Sequence, residues 1–148
     1  MKIIGAVLIF VSSILCSYTY EKKLKCKISH LEEAIAFINY IRGKIEYFSL
    51  PINQIFENYE NKTVFIDLLI ATKDINRLDF DKEIKHELFS FFSVIGNGYK
   101  KEQVSLCEYT SKLLGAKLDA IKSEYPNKTK IFRSMSLFIS VSIIILLV

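Results

Sequence analysis

The sequence predicts an all-α protein, with a helical bundle domain between an N-terminal and a C-terminal transmembrane helix. Both ends of the chain are apolar runs, whereas the residues between them have the composition of an ordinary soluble domain. Only 2 prolines and 5 glycines occur in 148 residues, which favours long helices. Apolar residues in the middle recur at three- and four-residue steps, the spacing of one helix face. We therefore divide the chain into residues 1–20, 21–130 and 131–148.

The first apolar run, residues 3–20, carries no charge. Its roughly 18 residues would extend about 27 Å as a helix, close to the ~30 Å hydrocarbon core of a bilayer. A cleaved signal peptide is the alternative, but no small-x-small cleavage site follows the run. Leu15 directly before Cys16 also disfavours a lipoprotein signal. We expect an uncleaved membrane anchor.

The second apolar run, residues 131–148, has a similar length, and its residues 134–148 are free of charge. Arg133 lies near its start, where a long cationic side chain can extend to the lipid headgroups. A buried core helix is the alternative. A soluble domain seldom ends on such a run, so we expect a second membrane helix.

Basic residues flank the inner ends of both runs and predict the orientation. They are Lys22, Lys23, Lys25 and Lys27 after the first run, and Lys128, Lys130 and Arg133 at the second. By the positive-inside rule the middle domain is cytoplasmic, both chain ends lie outside, and these seven residues lie at the membrane interface. Two matches to the glycosylation acceptor pattern, at residues 61–63 and 127–129, point the other way. The pattern is common by chance, so we give the charge bias more weight.

The first helix of the middle domain is expected to continue directly from the membrane segment. Its apolar stripe has coiled-coil spacing, and a second apolar face indicates packing between neighbours. The stripe is Leu24, Ile28, Leu31, Ile35, Ile38 and Ile45, and the second face is Ala34, Phe37, Ile41 and Phe48. Ser49 is then predicted to cap a new helix that has Pro51 in its first turn.

Two short helices and a longer one are predicted next. The first runs to about Tyr59, a polar turn covers residues 58–62, and Thr63 can cap a helix over residues 64–71. A loop is expected over residues 74–79, and Asp79 or Asp81 starts the longer helix. Its apolar stripe is Phe80, Ile84, Leu88, Phe91 and Ile95. The sequence Gly96-Asn97-Gly98 ends it, since glycine and asparagine accept the left-handed conformation.

The last predicted helix is long and keeps one heptad register into the second membrane segment. Its apolar seam is Val104, Cys107, Ser111, Leu114, Leu118, Ile121 and Tyr125. Pro126 interrupts this register, and proline costs about 3 kcal/mol in a helix interior. We expect a kink or a short break there.

Nothing in the composition or the motifs indicates an enzyme. The net charge is +4, and all sixteen acidic residues lie between Glu21 and Glu124, so the middle is nearly neutral and no nucleic-acid partner is expected. The three cysteines form neither a disulfide framework nor a zinc motif. His30 and His86 lack a suitable second metal ligand at helical spacing. The acidic clusters at residues 32–33 and 79–83 fit helix starts or exposed faces. No cofactor, metal or small-molecule substrate is expected.

The chain resembles the stage III sporulation protein AB family of endospore-forming bacteria along its whole length. The resemblance depends on dispersed residues: Ile3-Ile4-Gly5-Ala6; Ile45 and Tyr47 followed by Pro51 and Ile52; Phe91, Ile95, Gly96 and Gln103; and the run from Lys130 to Ser134. Three positions depart from the family pattern, since Phe92 and Ser136 stand where it usually has glycine, and Tyr99 where it has aspartate.

The resemblance implies a scaffold in a complex between mother cell and forespore, similar to the inner-membrane platform protein of type II secretion and type IV pilus systems. Its cytoplasmic domain would dock a secretion-type ATPase, stage III sporulation protein AA, beside other stage III sporulation membrane proteins. Tyr47, Pro51, Phe91, Gly96 and Gln103 would then serve structure or partner contact. A platform for another secretion or pilus machine, or a membrane-anchored regulator without a motor partner, remain the alternatives.

Overall fold

The structure, a computed structural model, describes residues 2–71, 75 and 78–147. Of these, the side chains of residues 2–4, 6, 144, 146 and 147 are not described. Within that part the fold is entirely helical, with no strand, as the sequence predicts. Met1 and Val148, the outer ends of the two predicted membrane segments, lie outside it. So do Asp74, Asn76 and Arg77 of the predicted loop.

The first helix, α1 (Lys2–Gly43), continues without interruption from the first apolar run into the middle domain, as predicted. It passes directly into a π-helical turn at Lys44–Phe48. Five residues of the predicted faces are completely buried: Leu31, Ala34, Phe37, Ile38 and Ile41. Phe48 is 65% exposed, so its predicted place on the buried face is wrong. The wider π-helical turn inserts an extra residue and rotates Phe48 away from the face that Ile41 occupies.

Helix α2 (Ile52–Glu57) begins after a turn that differs from the prediction. Ser49 was predicted to cap this helix, but it ends the preceding π-helical turn in the left-handed conformation. Pro51 occupies the N-cap position, in extended backbone with ψ 144°, rather than the first turn. The helix also ends before Tyr59, with Asn58 as its C-cap.

Two further helices follow the predicted pattern. Helix α3 (Val64–Ile70) is capped by Thr63, whose hydroxyl accepts a hydrogen bond from the Ile66 N–H at 3.3 Å. Helix α4 (Lys82–Val94) begins after Asp81 and ends before Gly96 and Gly98, which have φ of 96° and 122°. Between α3 and α4, Ile75 and Leu78 are buried, so the predicted loop contributes apolar side chains to the core.

The last helix, α5 (Lys100–Leu147), is continuous through Pro126. Of the two predicted outcomes, a kink or a short break, the short break is therefore excluded, and the kink stays a prediction. The hydroxyl of Thr129 donates to the carbonyls of Tyr125 and Pro126 at 3.0 and 3.1 Å, which adds local side-chain bonds to the turn around the proline.

The described chain forms two compact units, and α1 and α5 contribute to both. The larger unit is residues 29–119, and its core is aromatic around Phe37, whose ring lies 4.7 Å from that of Tyr59 and 6.0 Å from that of Phe92. The smaller unit is residues 1–28 and 120–148. Both unit boundaries lie inside the predicted middle domain, residues 21–130.

The smaller unit is an antiparallel pair of helical segments. Ser13 contacts Ser136, Tyr20 contacts Phe132, and Glu21 contacts Tyr125, so the two segments run in opposite directions. Among the residues whose placement is described, no helix is both long enough and apolar enough to cross a membrane. The two membrane helices stay predictions.

Candidate functional site

An unusual turn at Ser49 forms one side of the candidate site in the larger unit. Ser49 has φ 51° and ψ 33°, and its N–H donates to the carbonyl of Ile45 at 3.3 Å. It is the only described residue other than glycine with positive φ. Such a conformation is uncommon for a side chain with a Cβ atom, and together with a π-helical turn it is frequent at functional positions.

Gly96 forms the opposite side, where the end of α4 meets the start of α2. A Cβ atom at this position would lie 2.7 Å from Cγ2 of Ile52, and the glycine has φ 96°. Both the space and the backbone conformation therefore require glycine. The residue allows α4 to end directly against the first turn of α2.

The first turn of α5 completes the site with polar side chains. Nε2 of Gln103 donates to the carbonyl of Gly98 at 2.9 Å, which stabilises the glycine turn. Nζ of Lys100 donates to Oγ of Ser49 at 3.0 Å. Oε2 of Glu102 accepts from the N–H of Tyr99 at 3.2 Å, an N-terminal capping interaction.

These three elements enclose a surface cavity of about 240 Å³. Its lining residues are Ile45, Ser49, Leu50, Pro51, Ile52, Asn53, Gly96, Lys100 and Gln103. Lys100 is the one charged residue among them. The walls come from three separated stretches of sequence, and apolar side chains and the Ser49 turn form most of them.

Exposed aromatic side chains directly precede two of the residues that line the cavity. Tyr47 and Phe48, 77% and 65% exposed, directly precede Ser49, and Tyr99, 81% exposed, directly precedes Lys100. Nζ of Lys44 lies 4.9 Å from the centre of the Phe48 ring, a cation–π distance. The surface therefore combines large exposed rings with ammonium groups.

The structure brings together three of the five residues to which the family resemblance assigned a role in structure or partner contact. Pro51, Gly96 and Gln103 line the cavity, and Tyr47 lies on the π-helical turn beside it. Phe91 is buried beneath the surface of the domain, 1% exposed, with its ring edge-on to Phe92 at 5.1 Å. Sequence reasoning did not identify Ser49 or Lys100 as part of this site.

In the smaller unit, serine side chains join the two paired segments. Oγ of Ser13 lies 2.7 Å from Oγ of Ser136 and donates to the Ser136 carbonyl at 2.9 Å. Small side chains allow close approach of helix backbones, and serine adds hydrogen bonds between the helices. Tyr20 and Phe132 stack nearby with ring centres 4.2 Å apart.

Glu21 is the centre of a polar cluster where the paired segments leave their apolar parts. Its carboxylate accepts from the hydroxyl of Tyr125 at 3.1 Å and pairs with Lys25 at 3.0 Å and with Arg133 at 3.3 Å. The hydrogen bond from Lys25, followed by that from Tyr125, lowers the pKa of the Glu21 carboxyl below its ordinary value. The cluster links the basic residues of the two chain ends through one carboxylate.

The seven basic residues predicted at the membrane interface all lie within the smaller unit. Lys25 and Arg133 bind Glu21, and Lys128 pairs with Glu124 one helical turn earlier. All are exposed except Lys27, which is half-buried: Lys22, Lys23, Lys25, Lys27, Lys128, Lys130 and Arg133. Their contact with lipid headgroups stays a prediction.

Cys107 and His30 both contribute to the packing of the larger unit. Cys107 is completely buried, and burial raises the pKa of its thiol to about 11. The ring of His30 stacks on that of Phe65 with centres 4.5 Å apart. Glu33 accepts a hydrogen bond from the Thr63 hydroxyl at 3.1 Å. Within the described residues, histidine, cysteine and acidic side chains form no group of three or more that could hold a metal ion.

Residues 2–65 match the family model of stage III sporulation protein AB. Over these residues the chain is similar to that family. The match includes Tyr47, Pro51 and the π-helical turn, and it confirms the predicted resemblance over residues 2–65, whereas Phe91, Gly96 and Gln103 lie outside it. Neither the curated proteins nor the solved structures include a significant match to the chain.

Proposed function

We propose that this protein is a non-enzymatic membrane scaffold of the sporulation complex between mother cell and forespore, and that its middle domain docks a secretion-type ATPase. The observation that carries the proposal is the family match over residues 2–65, which gives a role in sporulation. Features of the smaller unit support the membrane insertion and the orientation, and features of the larger unit support the docking role.

The exposed apolar surface of the smaller unit supports its insertion in a membrane. Among the side chains that the structure describes, thirteen large apolar ones of the paired segments are at least 39% exposed: Val7, Leu8, Phe10, Val11, Ile14, Leu15, Ile131, Met135, Phe138, Ile139, Val141, Ile143 and Ile145. Soluble monomers seldom expose such a surface. The polar contacts of Ser13 and Ser136 face inward between the segments, which is how helices satisfy hydroxyl groups in lipid.

The basic residues of the smaller unit support the proposed orientation. The basic residues near Glu21 follow the first apolar run, and those near Glu124 precede the second. Because basic residues favour the cytoplasmic side of a membrane, both groups favour a cytoplasmic middle domain. Both chain ends would then lie on the far side of the membrane. This topology leaves residues 29–119 accessible to a cytoplasmic partner.

The larger unit supports a binding role rather than catalysis. Its core holds Phe37 and Phe91 with aromatic neighbours, and the thiol of Cys107 is completely buried, which raises its pKa to about 11. The distinctive surface feature is the cavity at Ser49 and Gly96 with exposed rings beside it. Such a surface suits contact with another protein.

The proposal is tested by purifying the tagged full chain in detergent from sporulating cells and measuring retention of stage III sporulation protein AA. We expect the ATPase in the eluate, at a level well above that obtained with an unrelated two-helix membrane protein as bait. A chain that is intact and folded but retains no more ATPase than this control would contradict the docking role.

A further inference from the structure

The cavity at Ser49 and the side chains next to it form a surface that we call the aromatic-lysine surface. It consists of Lys44, Tyr47, Phe48, Tyr99 and Lys100 together with the cavity lining. Its three rings are among the most exposed large side chains of the larger unit. Tyrosine and other aromatic residues are enriched at the energetic centres of protein interfaces, since they bury much area at a low cost in side-chain entropy.

Lys44 and Lys100 contribute the positive charge of this surface. In the part of the chain that the structure describes, neither Lys44 nor Lys100 forms an ion pair with a carboxylate. Lys44 contacts aromatic rings, and Lys100 donates a hydrogen bond to Ser49. Glu57 and Glu60 line a separate cavity together with Lys44, whereas the cavity at Ser49 has Lys100 as its one charged lining residue. The two acidic residues nearest in sequence, Glu46 and Glu102, make contacts within the chain. Oε2 of Glu46 lies 3.6 Å from Nε of Arg42, and Glu102 binds the N–H of Tyr99. A partner with carboxylates would complement this charge.

The size of the cavity indicates a side chain rather than a small molecule. Its volume of about 240 Å³ is below the roughly 300–1,000 Å³ of typical small-molecule sites. Ile45, Leu50, Pro51 and Ile52 form an apolar part of its wall, and the polar groups of Lys100 and Gln103 lie on the α5 side. An apolar side chain flanked by acidic residues fits both parts.

We propose that the aromatic-lysine surface binds an acidic segment of a protein partner, which inserts one apolar side chain into the cavity between Pro51 and Gly96. This inference rests on the proposed function, under which the partner is the secretion-type ATPase. Tyr47, Phe48 and Tyr99 cover the apolar part of the segment, and Lys100 binds a carboxylate beside it. The Ser49 turn and Gly96 hold the cavity open, because both have backbone conformations that fix its walls.

The experiment uses the full chain in lipid nanodiscs and the purified ATPase, with the dissociation constant measured by fluorescence anisotropy. The variants are Tyr47→Ala with Phe48→Ala, and Lys100→Glu. Their controls are Tyr109→Ala, an exposed tyrosine on α5, and Lys62→Glu, an exposed lysine in the turn before α3. Circular dichroism confirms that each variant keeps its helical content.

We expect the aromatic pair and Lys100→Glu each to weaken binding at least tenfold, and the controls to change it less than twofold. We also expect the affinity of the unchanged chain to fall as the salt concentration rises. If the unchanged chain binds the ATPase and all variants bind equally well, the surface assignment is overturned and the proposed function stands. If the unchanged chain does not bind, both are overturned.

Discussion

Gly96→Ala tests whether the contact between α4 and α2 shapes the candidate site. The new Cβ atom would lie 2.7 Å from Cγ2 of Ile52, against roughly 3.5–4.0 Å for an ordinary carbon contact. Overpacking of this kind costs about 1–3 kcal/mol, and the φ of 96° adds about 1–2 kcal/mol for a residue with a Cβ atom. Reduced freedom of the unfolded chain offsets about 0.4–1 kcal/mol. We expect a net loss of about 1–4.5 kcal/mol.

The assay is thermal unfolding of the full chain in detergent, followed by far-ultraviolet circular dichroism. The expected loss corresponds to a decrease in Tm of roughly 3–18 °C for a chain of this size. Gly115→Ala is the matched control, since nothing lies within 4 Å of its Cβ position and alanine favours the helix, so its Tm should rise slightly. Combining Gly96→Ala with Ile52→Ala should cost less than the sum of the two single changes, because the shortened side chain no longer meets the new Cβ atom. A Tm for Gly96→Ala equal to that of the unchanged chain would refute the reasoning.

Three further predictions concern single residues. Cys107 should react with a maleimide at pH 8 far more slowly than the exposed Cys26, because the Cys107 thiol is buried and its pKa is raised to about 11. Mass spectrometry of the labelled chain measures the two labelling rates. Glu21→Gln should flatten the dependence of stability on pH below about 4.5. The hydrogen bond from Lys25 lowers the pKa of the Glu21 carboxyl in the folded chain. The stabilisation from Glu21 is therefore present above its ordinary pKa of 4.5 and is lost as the pH falls through the lower folded value. Pro126→Ala should raise the Tm, because α5 continues through this position and alanine restores an N–H donor to the helix. An unchanged or lower Tm would show that the proline does not destabilise the helix there.

The helices were predictable from the sequence because their apolar residues recur with helical spacing. The seam through Cys107, Leu114 and Leu118 is buried in α5, and Thr63 caps α3 as its sequence position indicates. The position of Phe48 was not predictable, since a π-helical turn leaves no periodic signal in five residues. A penalty of about 3 kcal/mol can be offset by the rest of a long helix, so α5 continues through Pro126 without the short break that was one of the two expected outcomes.

The residues of the candidate site were predictable only one by one. Family resemblance identified Pro51, Gly96 and Gln103, but nothing in their sequence positions placed them around one cavity. The hydrogen bond between Lys100 and Ser49 joins residues 51 positions apart, and that between Ser13 and Ser136 joins residues 123 positions apart. Such contacts depend on how helices pack, which helical spacing alone does not determine.

The account as a whole depends on both terminal segments lying in a membrane with the middle domain inside the cell. A full chain whose native cysteines are replaced by alanine, carrying Asn97→Cys in the exposed turn between α4 and α5, tests this by labelling with a membrane-impermeant maleimide. A second version carries its cysteine after Val148 instead. The account predicts that, in membranes resistant to alkaline extraction, Asn97→Cys is labelled only after the cells are permeabilised, whereas the C-terminal cysteine is labelled in intact cells. Labelling of Asn97→Cys in intact cells, or loss of the chain from the membranes on alkaline extraction, would contradict it.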